Sequence, residues 1–238
     1  MQKLELLRTY LNKAGRDLSP AQEEQFGLYY DLLVSENENM NLTAITELSE
    51  VQEKHFLDSV WLGNLIDLNG KHSLADVGTG AGFPGIPLKI MYPDLEVMLI
   101  DSLGKRVDFL NRVIEKLMLT NIKAVHMRAE DAGRDASLRE QFDICVSRAV
   151  AELRVLSEYC LPLVKPGGSF ISYKGKDTDE EIQAAANAVS LLGGEIRRIE
   201  KQVIGPTGLE RTFVFVEKTG KTDEKYPRRA GKVTKKPL

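Results

Sequence analysis

With 238 residues, 42% of them hydrophobic and 28% charged, the chain has material for one large core, or a core with a small satellite, and reads as an ordinary soluble globular protein. Its two cysteines, Cys145 in an apolar strand pattern and Cys160 in a helical one, give neither a disulfide framework nor metal-ligand spacing; both are expected as buried small hydrophobes in a cytoplasmic protein without a metal site. The start, Met1-Gln2-Lys3-Leu4-Glu5-Leu6, has no long apolar stretch, and no later window approaches the roughly 20 apolar residues of a membrane span, so neither export nor membrane insertion is expected.

Residues 1–70 are expected to form a helical extension. Ser19-Pro20-Ala21-Gln22 reads as a capping box with proline in the first turn, and Phe26, Tyr29, Tyr30, Leu32, Leu33 and Val34 give the following helix a broad apolar face. A further helix is expected from near Ser49, with Val51, His55, Phe56, Ser59, Val60 and Leu62 at helical spacing. His55 and Asp58 fall on one face of it, as a functional pair or as a structural hydrogen bond. Between the helices, Asn37 to Ile45 is rich in turn-forming amides.

Residues 71–218 open on Asp76-Val77-Gly78-Thr79-Gly80-Ala81-Gly82-Phe83-Pro84-Gly85. The short apolar segment Ser73-Leu74-Ala75 before it suits a buried parallel strand, and Ile86 to Ile90 after it can open a helix. Strand, glycine turn, helix is the architecture of a nucleotide cradle, in which a ligand lies against bare peptide. Gly80 to Gly85 is a literal G-x-G-x-x-G and suits a dinucleotide pyrophosphate. In the alternate register, Asp76-x-Gly78-x-Gly80-x-Gly82 resembles motif I of the S-adenosylmethionine methyltransferases, whose cofactor carries a sulfonium and an ammonium but no phosphate. A carboxylate beside the turn favours that cation, and Pro84 and Pro87 remove amide donors that an anion would use. A glycine-rich loop with no ligand is the plainer alternative.

Glu96 to Asp101 is the expected second strand, and Asp101, at its end, can accept hydrogen bonds from ribose hydroxyls or, with Ser102, cap a helix. Strands follow at Ile122 to Met127, Phe142 to Arg148 and Ser169 to Lys174, separated by helical stretches such as Lys105 to Leu117 and Leu153 to Leu163. This alternation implies a parallel sheet with its site at the strand C-termini. Glu195 to Ile204 and Arg211 to Lys218, joined by Gly205-Pro206-Thr207-Gly208-Leu209, form an antiparallel hairpin instead. The expected class is α/β: a Rossmann-like methyltransferase sheet, mostly parallel with an antiparallel last strand, beside a small N-terminal helical subdomain.

Residues 219–238 form a basic tail. From Lys218 to Leu238 there are eight basic residues and two acids, net +6, which leaves −9 for the rest of a chain whose net charge is −3. A basic arm on an acidic body can grip phosphates, or merely keep the chain in solution. On the first view, removing everything after Lys218 should spare cofactor binding and weaken RNA binding.

At the top edge of such a sheet the residues after each strand face one crevice. Ala129 and Glu130 stand where adenine is usually met, and Arg148 stands closest to the methyl acceptor, able to hold phosphate or stack on a base. No Asn/Asp-Pro-Pro-aromatic run follows the fourth strand and no Pro-Cys pair occurs, which excludes the usual amine-directed and cytosine-carbon DNA chemistries. An acceptor that carries no proton, such as a purine ring nitrogen, needs only positioning, so no general base is expected.

Seven segments in order, Asn41 to Ile45, His55 to Ser59, Asp76 to Gly85, Asp101 to Arg106, Arg128 to Glu130, Ser147 to Ala151 and Lys225 to Lys232, resemble the RsmG family, also called glucose-inhibited division protein B. The resemblance covers nearly the whole chain. It implies S-adenosylmethionine as cofactor and ring nitrogen 7 of a guanine in 16S ribosomal RNA as the methylated atom, with the RNA or the small ribosomal subunit as partner; a cytoplasmic monomer is expected. It also implies that Gly78, Phe83, Ala129, Glu130 and Arg148 line the cofactor pocket, to which the motif reading adds Asp76, Gly80, Gly82 and Asp101. Arg148 and the tail residues Lys225, Arg228, Arg229, Lys232, Lys235 and Lys236 are the expected RNA contacts. Glu36 and Asn39 depart from the family pattern, an aromatic and a basic residue being usual there, so no RNA contact is assigned to that loop. A small-molecule methyltransferase, a nicotinamide-dependent oxidoreductase and a non-catalytic RNA-binding protein are the alternatives.

Overall fold

The structure, a computed structural model, describes residues 4–238 except the side chain of Asn39; the opening Met1 to Lys3 and that side chain lie outside the described residues. Helix α1 (Glu5–Lys13) leads to α2 (Pro20–Met40), which starts at the expected capping box: Ser19 Oγ accepts from the Gln22 N–H at 3.3 Å and Gln22 Oε1 accepts from the Ser19 N–H at 2.9 Å. The next helix is not the uninterrupted one that the spacing suggests. A short α3 (Leu48–Val51) widens into a π turn over Gln52–Leu57, returns to α4 (Asp58–Val60) and ends in a 3₁₀ turn over Trp61–Asn64. The widened turn brings the Lys54 carbonyl to Arg148, whose Nη1 donates to it at 3.0 Å, and such local departures from α geometry concentrate at functional sites.

The rest of the chain alternates as expected: β1 (Ser73–Val77), α5 (Gly85–Met91), β2 (Glu96–Asp101), α6 (Gly104–Lys116), β3 (Ile122–His126), α7 (Ala129–Ala132), β4 (Phe142–Arg148), α8 (Leu153–Cys160), β5 (Val164–Lys174), α9 (Asp179–Leu191), β6 (Gly194–Ile204), β7 (Leu209–Lys218) and α10 (Lys232–Lys235). The seven-stranded sheet has the order β3-β2-β1-β4-β5-β7-β6. β3, β2, β1, β4 and β5 are parallel, and β7 runs antiparallel between β5 and β6. No helix among the described residues is long and apolar enough to cross a membrane.

Because successive strand side chains alternate faces, each strand feeds two cores. Leu74, Leu99, Val146, Ile171 and Phe213 face the helices of the first 70 residues together with α5 and α6. Ala75, Met98, Cys145, Phe170 and Val214 face α8 and α9. Both cysteines are buried and free, as their composition suggested. The N-terminal helices therefore share a continuous core with the sheet. Buried Glu53 adds a polar tie, accepting from both the N–H and the hydroxyl of Thr207 at 2.8 Å in the β6–β7 turn.

Residues 219–238 fold back on the second core rather than extending from the body. Tyr226 and Val233 are buried within it. Glu158, 0% exposed on α8, accepts from the Arg228 backbone N–H at 2.7 Å, and from Arg228 Nε at 2.8 Å and Nη2 at 2.6 Å. Arg228 is thereby withdrawn from the free cations of the tail. Breaking a buried ion pair from one side leaves an uncompensated charge, which costs about 3–5 kcal/mol, whereas replacing both partners by apolar groups is often neutral. Arg228→Ala is therefore expected to destabilise by about that amount in urea unfolding, and Arg228→Met combined with Glu158→Leu to recover most of the loss.

Candidate active site

The glycine turn at the end of β1 is built from beneath by Asp76. Its carboxylate is fully buried; Oδ2 accepts from the Thr79 hydroxyl at 2.7 Å and from the Gly85 N–H at 2.8 Å, while Oδ1 has no partner. Burial pushes the Asp76 carboxyl up to about 6 against the opposing pull of these hydrogen bonds. Two glycines are fixed by close approach: a Cβ on Gly85 would lie 2.8 Å from Asp76 Oδ2, and one on Gly78, where φ is +71°, would lie 2.4 Å from a Val150 methyl. From the helical layer, the Tyr29 hydroxyl donates to the Ala81 carbonyl at 2.5 Å.

Across the turn, Asp101 ends β2 at 3% exposure. Its Oδ2 accepts from the Gly80 N–H and its Oδ1 from the Leu103 N–H, both at 2.9 Å. Oδ2 also faces Arg106 Nη1 at 3.6 Å, and Oδ1 keeps a second lone pair.

Between these strand ends lies a cleft of about 350 Å³. Of the expected cofactor residues, Gly78, Asp101, Ala129 and Glu130 wall it, whereas Asp76, Gly80, Gly82, Phe83 and Arg148 do not line it. Val150, Tyr159, Gly231 and Thr234 also line it and were not foreseen. The Tyr159 hydroxyl lies 3.4 Å from Glu130 Oε1, and burial followed by the Glu130 charge raises it to about 12. Gly231 and Thr234 belong to the tail, so a cut after Lys218 would remove one wall of this cleft, which bears on the expectation that such a cut spares cofactor binding.

Arg148, at the end of β4, faces the helical layer. Its Nη1 donates to Asp58 Oδ2 at 2.6 Å, its Nη2 lies 3.4 Å from His55 Nδ1, and the guanidinium sits 5.1 Å from the Phe83 ring centroid. Asp58, 0% exposed, accepts a second charge-assisted bond from Arg211 Nε on β7 at 2.8 Å. His55 stacks on Phe83 at 4.5 Å, and its Nε2 lies 2.8 Å from Thr43 Oγ1. Thr43 is itself fixed by the turn-forming loop, its N–H donating to Asn37 Oδ1 at 2.8 Å. His55 and Asp58 thus meet through Arg148, and the Asn37 to Ile45 loop positions His55. Glu36, one of the two departures from the family pattern, makes a bidentate pair with Arg112 at 3.0 and 2.8 Å. The missed residues left a faint trace in the sequence: Asp58 and Glu158 are acids set within apolar helical runs, where a buried charge implies a partner.

Burial, and after it the neighbouring Arg148, hold the His55 imidazole down at about 4, below its ordinary 6.5; Asp58 opposes this and Arg211 adds to it. The folded chain therefore binds this proton more weakly than the unfolded chain. The His55 contribution is neutral above pH 6.5 and destabilises progressively as the pH falls toward about 4. Asp76 acts with the opposite sign, destabilising as the pH rises from 3.8 to about 6, and cancels when variants are compared. Urea unfolding at pH 7 and pH 5 is expected to show a smaller acid loss in His55→Gln than in the parent chain.

The model of the family described as rRNA small subunit methyltransferase G matches residues 22–208. A protein named ribosomal RNA small subunit methyltransferase G from Lachnoclostridium phytofermentans is 51% identical over 228 residues, covering 96% of this chain and 94% of its own. One of the same name from Clostridium perfringens is 46% identical over 238 residues and covers 100% of both chains. Among solved structures, a SAM-dependent methyltransferase from Aquifex aeolicus matches with a TM-score of 0.55 at 18% identity, over 77% of this chain and 97% of that one. M. jannaschii TYW2 in complex with AdoMet matches with a TM-score of 0.51 at 17% identity, over 63% and 70%. These two likenesses speak for the fold alone, whereas the family match spans most of the sequence: the chain belongs to the rRNA small subunit methyltransferase G family, the glucose-inhibited division protein B family that its motifs resemble.

Proposed function

We propose that this chain transfers the methyl group of S-adenosylmethionine to ring nitrogen 7 of a guanine in 16S ribosomal RNA. The observation that carries the cofactor half is where the amides of the glycine turn point. The N–H groups of Gly80 and Gly85 donate to Asp101 and Asp76, and those of Gly82, Phe83 and Ile86 donate to backbone carbonyls of the turn. A pyrophosphate would find those donors occupied and a carboxylate behind them, which disfavours the nicotinamide alternative. A cofactor that is cationic at sulfur and amine meets no such conflict, and 350 Å³ falls within the roughly 300–1,000 Å³ of small-molecule sites.

In this reading Asp101 receives the ribose hydroxyls, Ala129 and Glu130 the adenine edge, and the Gly78 backbone lies against the methionine end. When bound, S-adenosylmethionine supplies an electrophilic methyl group. The chain has no proton to remove from an unprotonated ring nitrogen, so its work is alignment and exclusion of water. The engaged carboxylates of Asp76 and Asp101 suit that division of labour, since both serve backbone amides.

The tail cations favour RNA over a small acceptor. Arg229, Lys232, Lys235 and Lys236 are exposed and, among the described residues, make no ion pair; exposed Lys225 pairs with Asp223 at 3.0 Å. Gly231 and Thr234 between them line the cofactor cleft, so this basic surface borders the place where an acceptor must enter. That nitrogen is hidden in the deep groove of an A-form duplex, and the target is therefore a loop, a bulge or an opened helix. In this reading the chain acts on ribosomal RNA in the cytoplasm.

Labelled methyl transfer to intact small subunits, to naked 16S RNA and to a metabolite panel, followed by nucleoside analysis, is expected to give 7-methylguanosine at one position. Label in a metabolite or at another ring atom overturns the reading. By calorimetry, Asp101→Ala is expected to weaken S-adenosylmethionine binding by about 10- to 100-fold, the value of one or two hydrogen bonds to a charged group, with no NAD binding in either protein.

A further inference from the structure

Beside the cofactor cleft is a second cavity of about 300 Å³, at the C-terminal ends of β4 and β5, to which the reading above gives no role. Its walls include Lys54, His55, Arg148, Tyr173, Lys174 and Arg211. The two cavities are partitioned at consecutive residues: Ala149 lines this one and Val150 lines the cofactor cleft. Ala149 holds the partition in the left-handed region, with φ +57°.

Four cations and no carboxylate line this cavity. The acids that orient the cations do not line the cavity; Asp58 is buried, Glu181 is partly exposed and Glu50 stands at the surface. Fully buried Asp58 holds Arg148 and Arg211, Glu181 accepts from Lys174 Nζ at 2.5 Å, and Glu50 pairs with Lys54. Lys174 Nζ also donates to the Ala151 carbonyl at 2.7 Å, which ties the charge to the partition. The Tyr173 hydroxyl donates away from the cavity, to the Ser59 carbonyl at 3.0 Å. What the cavity presents is donors and positive charge, a match for the oxygens of a phosphate. The guanine ring suits it less well than a phosphate, because the ring gains positive charge as it is methylated and the four cations outnumber the three carboxylates that hold them.

We propose that this cavity is a backbone-phosphate subsite that grips the RNA next to the target nucleotide, so that the base projects across Ala149 and Val150 into the cofactor cleft. Lys54 and Arg211 are its accessible contacts, at 32% and 22% side-chain exposure, against 11% for Arg148 and 10% for Lys174. The inference rests on the RNA methylation reading and adds to it the place where the strand is held.

The test measures RNA binding against salt concentration in the full chain and in Lys54→Gln, Lys54→Arg and Arg211→Lys, with Lys123→Gln, at the opposite end of the sheet, as control. S-adenosylmethionine affinity and melting temperature are measured alongside. Lys54→Gln is expected to weaken RNA binding about three- to tenfold and to flatten the salt slope by about 0.7 to 1. Lys54→Arg should restore both, with cofactor affinity and melting temperature unmoved and Lys123→Gln like the parent. An unchanged slope in both Lys54→Gln and Arg211→Lys, in a parent chain that methylates RNA, overturns this inference alone; a parent chain that methylates no RNA overturns it together with the reading beneath it. Guanosine monophosphate that binds the parent, is lost in Lys54→Gln and leaves RNA binding untouched also overturns it, and marks a free-nucleotide site instead.

Discussion

The carboxylate of Asp58 is the interaction on which the rest depends. It sits completely out of water and accepts from two guanidiniums, Arg148 on β4 and Arg211 on β7. A lone buried charge would be intolerable, and two cations brought together without it would repel. The helical layer, the middle of the parallel sheet and its antiparallel strand are therefore docked in one relative position, because only there are all three charges matched. His55, Phe83 and the Lys54 carbonyl gather around the same guanidinium, so the N-terminal helices are part of the site's frame rather than an appendage.

A second pattern is the separation of residues that shape the cleft from residues that face it. Asp76 is the most conspicuous residue of the glycine motif, yet its carboxylate holds Thr79 and Gly85 from below. Asp101 does both, holding Gly80 and Leu103 while remaining on the wall. This explains why a carboxylate-rich turn need not imply acid–base chemistry: the charges set the direction of peptide N–H groups, and those directions decide which kind of ligand fits. Asp76 Oδ1 is left buried without a partner, and burial raises its carboxyl.

Much of this was legible in the sequence where the cause is local. The capping box at Ser19, the strand ends at Asp76 and Asp101, the helix after Asp101 and the β6–β7 hairpin follow from a few adjacent residues, and the structure has each of them. What escaped depends on partners far apart in the chain. Nothing near Arg148 announces that Asp58 waits for it, and nothing in the tail's charge run says that Arg228 belongs to Glu158 while Arg229 is left to solvent. Helical spacing gave the right faces around His55 but could not foresee the π turn, which is tied to a carbonyl reaching a strand on the other side of the core. The tail follows the same rule: its composition is that of a solvated arm, and its packing shows only in the structure, where Tyr226, Val233 and Leu238 join the second core and Gly231 and Thr234 line the cleft.

That wall has two sides. The peptide that closes the cofactor cleft through Gly231 and Thr234 also carries Lys232, Lys235 and Lys236 on its outer surface. Under the proposed function, ligands on the two sides would contact the same short helix, and thermodynamic reciprocity would make any effect of one on the other equal in both directions. If the proposed sites hold, the small pocket and the basic surface are coupled through α10 without a moving domain.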